Sequence, residues 1–317
     1  MNRNRLSSAT NASVLAALEP VRCWYAAQPL GSWRRKLAVP ALKLASRCSL
    51  ASLPAIVPAD RSGLRFTNCD SMILPSIHWF GVYGYEGVLC DYWPLFCTGA
   101  NNIVEIGANI GFFTVLGSRA SPGGKYLAVE PLPENAALLR ANLKLNGISH
   151  VTVVEAAAVA GKERDTVTLN VPQERYSVTV GAFVDNAAEG VSERMIERKV
   201  TVHARTMADL VSSADLIKID AEGIEHHLLS AVFELIACRK PTIFVEVLPN
   251  SSKLKDVIVK LTQECKYRIY GVPAYHHYEA REIAAEDLRA GALERMFSKD
   301  VILTNLPLPS LSSRSSY

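Results

Sequence analysis

From about residue 99 to residue 305, short apolar runs alternate with amphipathic stretches, and that alternation leaves few architectures open. NNIVEI (101–106) is an apolar run ending in an acid; GANIG follows, then FFTVLGSRA with helical spacing. KYLAVEP (125–131) reads as a second strand stopped by Pro131. PENAALLRANLKLNG (133–147) reads as a helix, with Pro133 in its first turn and Gly147 at its end. VTVVEAAAV (151–159) is a third strand, and strand–helix alternation returns with DLIKID (215–220), a helix near 225–238, PTIFVEV (241–247) and a helix near 250–264. KYRIYGV (266–272) and KDVILTN (299–305) form a closing pair of strands.

Between these units the period changes. Val167, Leu169 and Val171 alternate, as do Val178, Val180 and Ala182, and then Val200, Val202 and Ala204, which predicts inserted antiparallel hairpins. The expected fold is therefore α/β: an open, mostly parallel sheet with helices on both faces, inserted β-hairpins and an N-terminal helical extension. Ligands of such sheets bind at the carboxyl ends of the strands, near the point where strand order reverses. The loops after residues 106, 130, 155, 220 and 247 thus matter most.

Charge divides the chain further. Residues 1–59 carry eight basic side chains and one acid, Glu19, a net +7, while residues 60–317 sum to −4. The body lacks the basic footprint of a nucleic-acid-binding protein. The reading is a basic extension (1–59), an aromatic, irregular lead-in (60–98), the strand–helix domain (99–308) and a flexible tail (309–317). The lead-in, with His78, Trp79, Phe80, Tyr83, Tyr85, Tyr92, Trp93 and Phe96, serves either as a cap on the core or as one wall of a cleft. No run of 18 apolar residues suggests a membrane-spanning helix. The start, MNRNRLSSATNASV, lacks the apolar centre of a secretory signal, but its Arg- and Ser-rich, acid-poor character also fits an organelle transit peptide. Seven cysteines without a CxxC pair indicate neither a disulfide framework nor a zinc site, and a reducing cytoplasm is the simplest reading.

Three motifs carry chemistry. Glu105-Ile-Gly107-Ala-Asn109-Ile-Gly111 sits at the first strand-to-helix turn. Its G-x-x-x-G spacing lacks the middle glycine that admits a pyrophosphate in G-x-G-x-x-G, and no P-loop Lys-Ser/Thr follows. A nucleoside ligand without phosphates fits better. Glu130, at the end of the second strand, is placed to accept hydrogen bonds from both ribose hydroxyls. Asp220-Ala-Glu222-Gly223-Ile-Glu225 gathers three carboxylates where the fourth strand ends. Three roles compete there: a helix N-cap by Asp220 with dipole-complementing acids, a divalent-metal site, or an acid facing cofactor and substrate.

Taken together, VEIGANIGFFT, AVEPLPENAALLRANLKLNG, TMADLV and DLIKIDAEGIEHHLLSA, in this order and spacing, resemble the FkbM family of S-adenosylmethionine-dependent methyltransferases. The resemblance covers about residues 100–250. It implies a Rossmann-like class I methyltransferase sheet of seven strands, the last antiparallel, and O-methylation of a hydroxyl on a sugar, glycolipid or polyketide-type metabolite. Glu105, Gly107, Ala108, Asn109, Gly111, Phe112, Glu130, Pro131 and Asp220 would form the cofactor site. The first-strand acid is usually Asp in that family, so Glu105 implies a slightly altered cofactor contact. Asp220 is the first candidate for the base that takes the hydroxyl proton, with Glu222 and Glu246 behind it. No metal is expected.

The pairs His226–His227 and His276–His277 each offer at most one ligand per helix face, since adjacent helical residues point about 100° apart. His226 or His227 is an alternative base; His276 and His277 read as surface residues or substrate contacts. A nicotinamide-dependent oxidoreductase and a catalytically inactive binding module are the alternatives to a methyltransferase. In the arm, Leu37, Ala41, Leu44 and Cys48 share one helical face, with Lys36, Lys43 and Arg47 on another. Such a stretch either lies on an anionic membrane surface, where lipid-linked glycan acceptors reside, or packs on the domain with its charges in solvent.

Overall fold

The computed structural model describes residues 8–29, 32–46, 49–60, 62–161, 165–173, 176, 178–179, 181–184, 195–274 and 279–311. Helices α1 (Ser8–Ala27) and α2 (Trp33–Ala45), a short strand pair β1 (Ala55–Ile56) and β2 (Phe66–Thr67), and helices α3 (Ile73–Phe80) and α4 (Leu89–Gly99) come first. The strands that follow are β3 (Asn102–Ile106), β4 (Lys125–Val129), β5 (Val151–Val154), β6 (Ala157–Val159), β7 (Thr166–Pro172), β8 (Phe183–Val184), β9 (Ile196–Thr206), β10 (Leu216–Ile219), β11 (Thr242–Glu246), β12 (Arg268–Val272), β13 (Arg281–Ile283) and β14 (Asp300–Thr304). The central sheet runs β13-β12-β14-β11-β10-β3-β4-β5. β3 lies parallel to both β4 and β10, so strand order reverses beside it. β14 is antiparallel to both its neighbours, as the resemblance implies. The sheet has one strand more than the seven expected: β13 adds to the edge, antiparallel to β12. Three residues, Arg-Glu-Ile, are too few to show a period in sequence.

Period-two alternation splits each strand between two cores. Ile103, Tyr126, Ala128, Leu216 and Phe244 face one side, with α5 (Phe112–Ala120) and α6 (Pro133–Leu145). Val104, Ile106, Val129, Ile217, Ile219, Ile243 and Val245 face the other, under α7 (Met207–Val211), α8 (Glu225–Ala231), α9 (Phe233–Arg239) and α10 (Ser252–Cys265). The helix expected near 225–238 is thus two, broken at Val232. The N-terminal helices belong to the first core, to which α1 contributes Leu15, α2 Ala38 and Leu42, and α3 Ile77.

Residues 60–98 are not irregular. They hold α3, a 3-10 turn at Val82–Gly84 and α4, and Trp79, Tyr92 and Trp93 are fully buried. The Trp93 ring meets Phe244 edge-on at 5.2 Å, and its Nε1 donates to the Phe113 carbonyl at 3.0 Å. The run 151–159 also divides. After β5 the chain leaves the central sheet, and β6 joins a second sheet of order β6-β9-β7-β8, in which β6 is parallel to β9 and β7 antiparallel to both β9 and β8. The alternation at 178–182 gives no strand among the described residues, and Val180 lies outside them. The Val178 amide donates instead to the Asp70 carbonyl at 3.0 Å.

Trp93 is thus a pin between α4, α5 and β11. Truncation to Ala removes a large, fully buried ring and is expected to cost about 3–5 kcal/mol. Equilibrium denaturant unfolding measures this as a lower midpoint; an unchanged midpoint would show that the lead-in packs only peripherally.

Candidate functional site

The turn after β3 is held in an unusual backbone shape. Gly107, Asn109 and Gly111 all have positive φ, at 79°, 50° and 84°. A Cβ on Gly107 would stand 1.8 Å from the carbonyl oxygen of Asp220, so only glycine lets the two strand ends approach this closely. A Cβ on Gly111 would stand 2.2 Å from Leu139 Cδ1, so this second glycine serves the contact between α5 and α6. Asn tolerates the left-handed region better than most residues, and the Asn109 side chain accepts from the Ile110 amide at 2.7 Å.

A cavity of about 330 Å³ opens at the carboxyl ends of the strands. Gly107, Asn109, Glu130, Pro131, Asp220, Glu222 and Glu246 line it, which brings most of the sequence-predicted residues together. Ala108, Gly111 and Phe112 lie beneath it, buried, outside that lining. Glu105 lies outside it too. Its Oε2 accepts from Thr114 Oγ1 at 2.8 Å and the Tyr126 hydroxyl at 2.5 Å. In place of the expected cofactor contact, Glu105 stands in register beside Lys218 of β10, and burial raises its pKa against the pull of that lysine.

Glu130 organises one wall of the cavity. Its Oε2 accepts from the Asn109 amide at 2.8 Å, and its Oε1 from the Leu132 amide at 3.0 Å and Asn135 Nδ2 at 3.4 Å. Asn135 Nδ2 also donates to the Thr179 carbonyl at 2.9 Å, as does Asn109 Nδ2 at 3.0 Å. Because Nδ2 of Asn135 faces two acceptors, its amide orientation is fixed, and its buried Oδ1 has no protein donor. The wall therefore offers an acceptor to a ligand hydroxyl or amine.

On the opposite wall Asp220, Glu222 and Glu246 bring one oxygen each within 4.8 Å of one another. Asp220 does not cap α8. Glu225 does the local work, accepting from the amides of Ala221 at 2.8 Å and Gly223 at 3.0 Å, and Ile224 is the cap position. Burial alone would raise the Asp220 pKa, but Lys218, 3.2 Å away, and then Lys299 outweigh it and hold the carboxyl below its ordinary value. Glu246 is pushed well above the carboxylate range by burial and by the charge of Asp220, although Lys299 Nζ donates to it at 2.5 Å. The two carboxyls thus oppose each other's ionisation, the lysines favouring the charged form of Asp220 while Glu246 is driven toward the protonated form.

Lys218 and Lys299 already lie against two of the three carboxylates that a divalent cation would need. Neither histidine of α8 lines the cavity: His226 is buried, His227 is exposed, and their rings stack on each other at 4.0 Å. That removes both from the base position. His276 and His277 lie outside the described residues. Sequence reasoning missed Lys218, Lys299, Asn135 and Thr179. Lys218 had a signal, since it lies two residues before Asp220 on a strand and so on the same face. The aromatic lead-in turns out to be both cap and wall: Tyr85 and Met72 line the cavity while Trp79, Tyr92 and Trp93 fill the core.

Residues 105–269 match the sequence model of the Methyltransferase FkbM domain family. Methyltransferase sdnD of Sordaria araneosa is similar, 31% identical over 156 residues that cover 42% of this chain and 60% of that protein. The chain thus spans less than two thirds of this curated relative's length. Among solved structures, Methyltransferase FkbM from Methylobacillus flagellatus matches with 15% identity and a TM-score of 0.41, covering 93% of this chain and 60% of that one. An O-methyltransferase from Bacillus cereus in complex with SAH matches with 12% identity and a TM-score of 0.36, covering 68% of this chain and 80% of that one.

Burial pushes the Glu130 pKa from 4.5 to about 7, despite the amides of Leu132 and Asn109. A raised native pKa means stability that is complete below the unfolded value and is lost as pH rises through about 7. Glu225 is raised to about 7 by burial and adds in the same direction. The melting temperature is expected to fall between about pH 5 and pH 7. Glu130→Gln should shrink that fall by up to about 1.4 kcal/mol per pH unit. An identical slope in the variant, measured by thermal melts across the range, would refute the assignment.

Proposed function

The chain belongs to the FkbM methyltransferase family, and from its site we propose that it is an S-adenosylmethionine-dependent O-methyltransferase acting on an alcohol hydroxyl of a sugar, glycolipid or polyketide-type metabolite. One observation carries this reading. Glu130 stands on one wall of the cavity, and Asp220, paired with Lys218, stands beside Glu246 on the other, an arrangement that supports a ribose acceptor facing a proton acceptor.

The cavity suits the cofactor in two ways. Its lining holds four carboxyl groups, Glu130, Asp220, Glu222 and Glu246, and one cation, Lys299. Lys299 is already paired with Glu246, so among the described residues the lining has no cation to spare for a pyrophosphate, which disfavours a nicotinamide dinucleotide. The unfilled acceptor Oδ1 of Asn135 awaits a donor of the kind a ribose hydroxyl or an adenine amine presents. Gly107, Asn109, Glu130, Pro131 and Asn135 would hold the nucleoside part.

When bound, the cofactor supplies a methyl group already activated by its sulfonium. The protein then has two tasks, alignment and proton removal. Asp220 would take the proton from the acceptor's hydroxyl as that oxygen receives the methyl group. An alcohol is far from ionised at neutral pH, so a carboxylate kept charged beside it matters more than it would for a phenol. Lys218 and Lys299 position Asp220 and keep it ionised. Glu246, driven toward its protonated form, stands beside it.

Calorimetry with S-adenosylhomocysteine and with NAD on one sample tests the cofactor; binding of NAD alone would overturn the reading. Asp220→Asn is expected to lower kcat about 100- to 10,000-fold with little change in S-adenosylhomocysteine affinity, whereas Glu246→Gln, which mimics the protonated acid, retains most of the turnover. The reverse pattern would make Glu246 the base. Turnover is also expected to survive excess EDTA, because two lysines supply the positive charge at the carboxylates; loss that magnesium restores would assign them to a cation instead.

A further inference from the structure

The helix α2 packs on the body through Arg35, Ala38, Leu42 and Ala45. Its Arg35 guanidinium lies over the Tyr25 ring of α1 at 4.3 Å, and Leu42 is fully buried. The opposite side carries a second apolar stripe. Trp33 is 67%, Leu37 64% and Leu44 65% exposed, and Pro40 and Ala41, between them, are exposed as well. Positions 33, 37, 40, 41 and 44 follow the helical period, so they form one continuous line about 17 Å long. Arg34, Lys36 and Lys43 flank it and are all exposed. On α1, Trp24 is 42% exposed.

We propose that this face of α2 docks on an anionic lipid bilayer, Trp33, Leu37 and Leu44 entering the acyl boundary while Arg34, Lys36 and Lys43 meet the headgroups. Charge decides the occupant. Residues 1–59 hold eight basic residues and a single acid, and that acid, Glu19, is tied to Arg22 by two hydrogen bonds. A second copy of the chain would bring the same excess of positive charge, so self-association through this face is opposed. A nucleic acid would match the charge but would leave the leucines and Trp33 without apolar partners. An anionic membrane interface matches both. The helix is already folded and fixed to the body by its other face, so docking needs no ordering of the chain, and the stripe is presented as a rigid edge. The inference goes beyond the catalytic reading and does not depend on it.

Co-sedimentation of the full chain with vesicles tests it. Vesicles of equal parts phosphatidylcholine and phosphatidylglycerol are expected to bind the protein, vesicles of phosphatidylcholine alone to bind it weakly, and added salt to release it. Leu37→Ser with Leu44→Ser should lower the partition coefficient tenfold or more, on the order of two buried leucines. Lys36→Ser with Lys43→Ser should lower it about fivefold per charge. In the unaltered protein, Trp79 and Trp93 are fully buried, so quenching of tryptophan fluorescence by brominated phosphatidylglycerol reports Trp24 and Trp33. No binding to the mixed vesicles, or no quenching, would overturn the proposal. So would a lipid-free dimer, seen by light scattering, that the leucine substitutions dissolve.

Discussion

Setting Asp220, half-buried, beside the buried Glu246 at the ends of adjacent parallel strands is the constraint around which this molecule is arranged. Two carboxyls this close oppose each other's ionisation, and each is favoured by a counter-charge. Lys218 supplies it from within β10, itself buried at 5% exposure, and Lys299 supplies it from the start of β14. Lys218 would be costly alone. Glu105, in register on β3, shares its charge from below, and the two acids together keep the lysine protonated, with its pKa above the ordinary value. Glu105 therefore acts on the site through Lys218, one layer removed from the cavity where the motif placed it.

The same strand ends are tied to the cofactor loop by backbone. Gly107 lies against the Asp220 carbonyl, and the Asp220 amide donates to the Ile106 carbonyl at 3.1 Å, so the loop after β3 and the acid after β10 cannot shift independently. The inserted segment closes the other side. The Thr179 carbonyl accepts from Asn109 and Asn135, two of the residues that surround Glu130, and Val178 is anchored to the lead-in at Asp70. A single backbone carbonyl thereby joins the insertion to the residues on both sides of Glu130. These main-chain contacts fix the walls of the cavity relative to one another, which is the preorganisation that the proposed reaction would use.

Much of this was legible in the sequence because it is local. Strand–helix alternation, the G-x-x-x-G turn, Glu130 at a strand end and the D-x-E-G-x-E run each lie within a few consecutive residues, and each is found on or beside the cavity. What escaped was set by distance along the chain. Lys299 reaches Glu246 across 53 residues, and Thr179 reaches Asn109 across 70, with no pattern to announce either. β13 and β8 are too short to show a period. The run 151–159 looked like one strand because nothing in its apolar residues marks where the chain passes from one sheet to another. The alternation at 178–182 misled for a related reason: period two describes side chains facing alternate ways, and a strap fastened by Asp70 and two asparagines can show it without a partner strand.

Helix α2 is the instructive case of an ambiguous period. Its sequence carries apolar residues at 33, 37, 41 and 44 and again at 38, 42 and 45, so two overlapping stripes compete for the core. The first looks the better amphipathic face, since it holds the larger side chains. The core takes the second, because Ala38 and Ala45 allow close approach and Arg35 can close the seam over Tyr25. Packing with small residues keeps the helix near the body at little cost in apolar area, and it leaves the bulkier stripe in water. Packing on the domain and presenting an apolar edge outward are therefore not alternatives for this helix. A helix with two apolar faces and three cations between them and solvent does both, and its orientation on the body is what makes the outer stripe available.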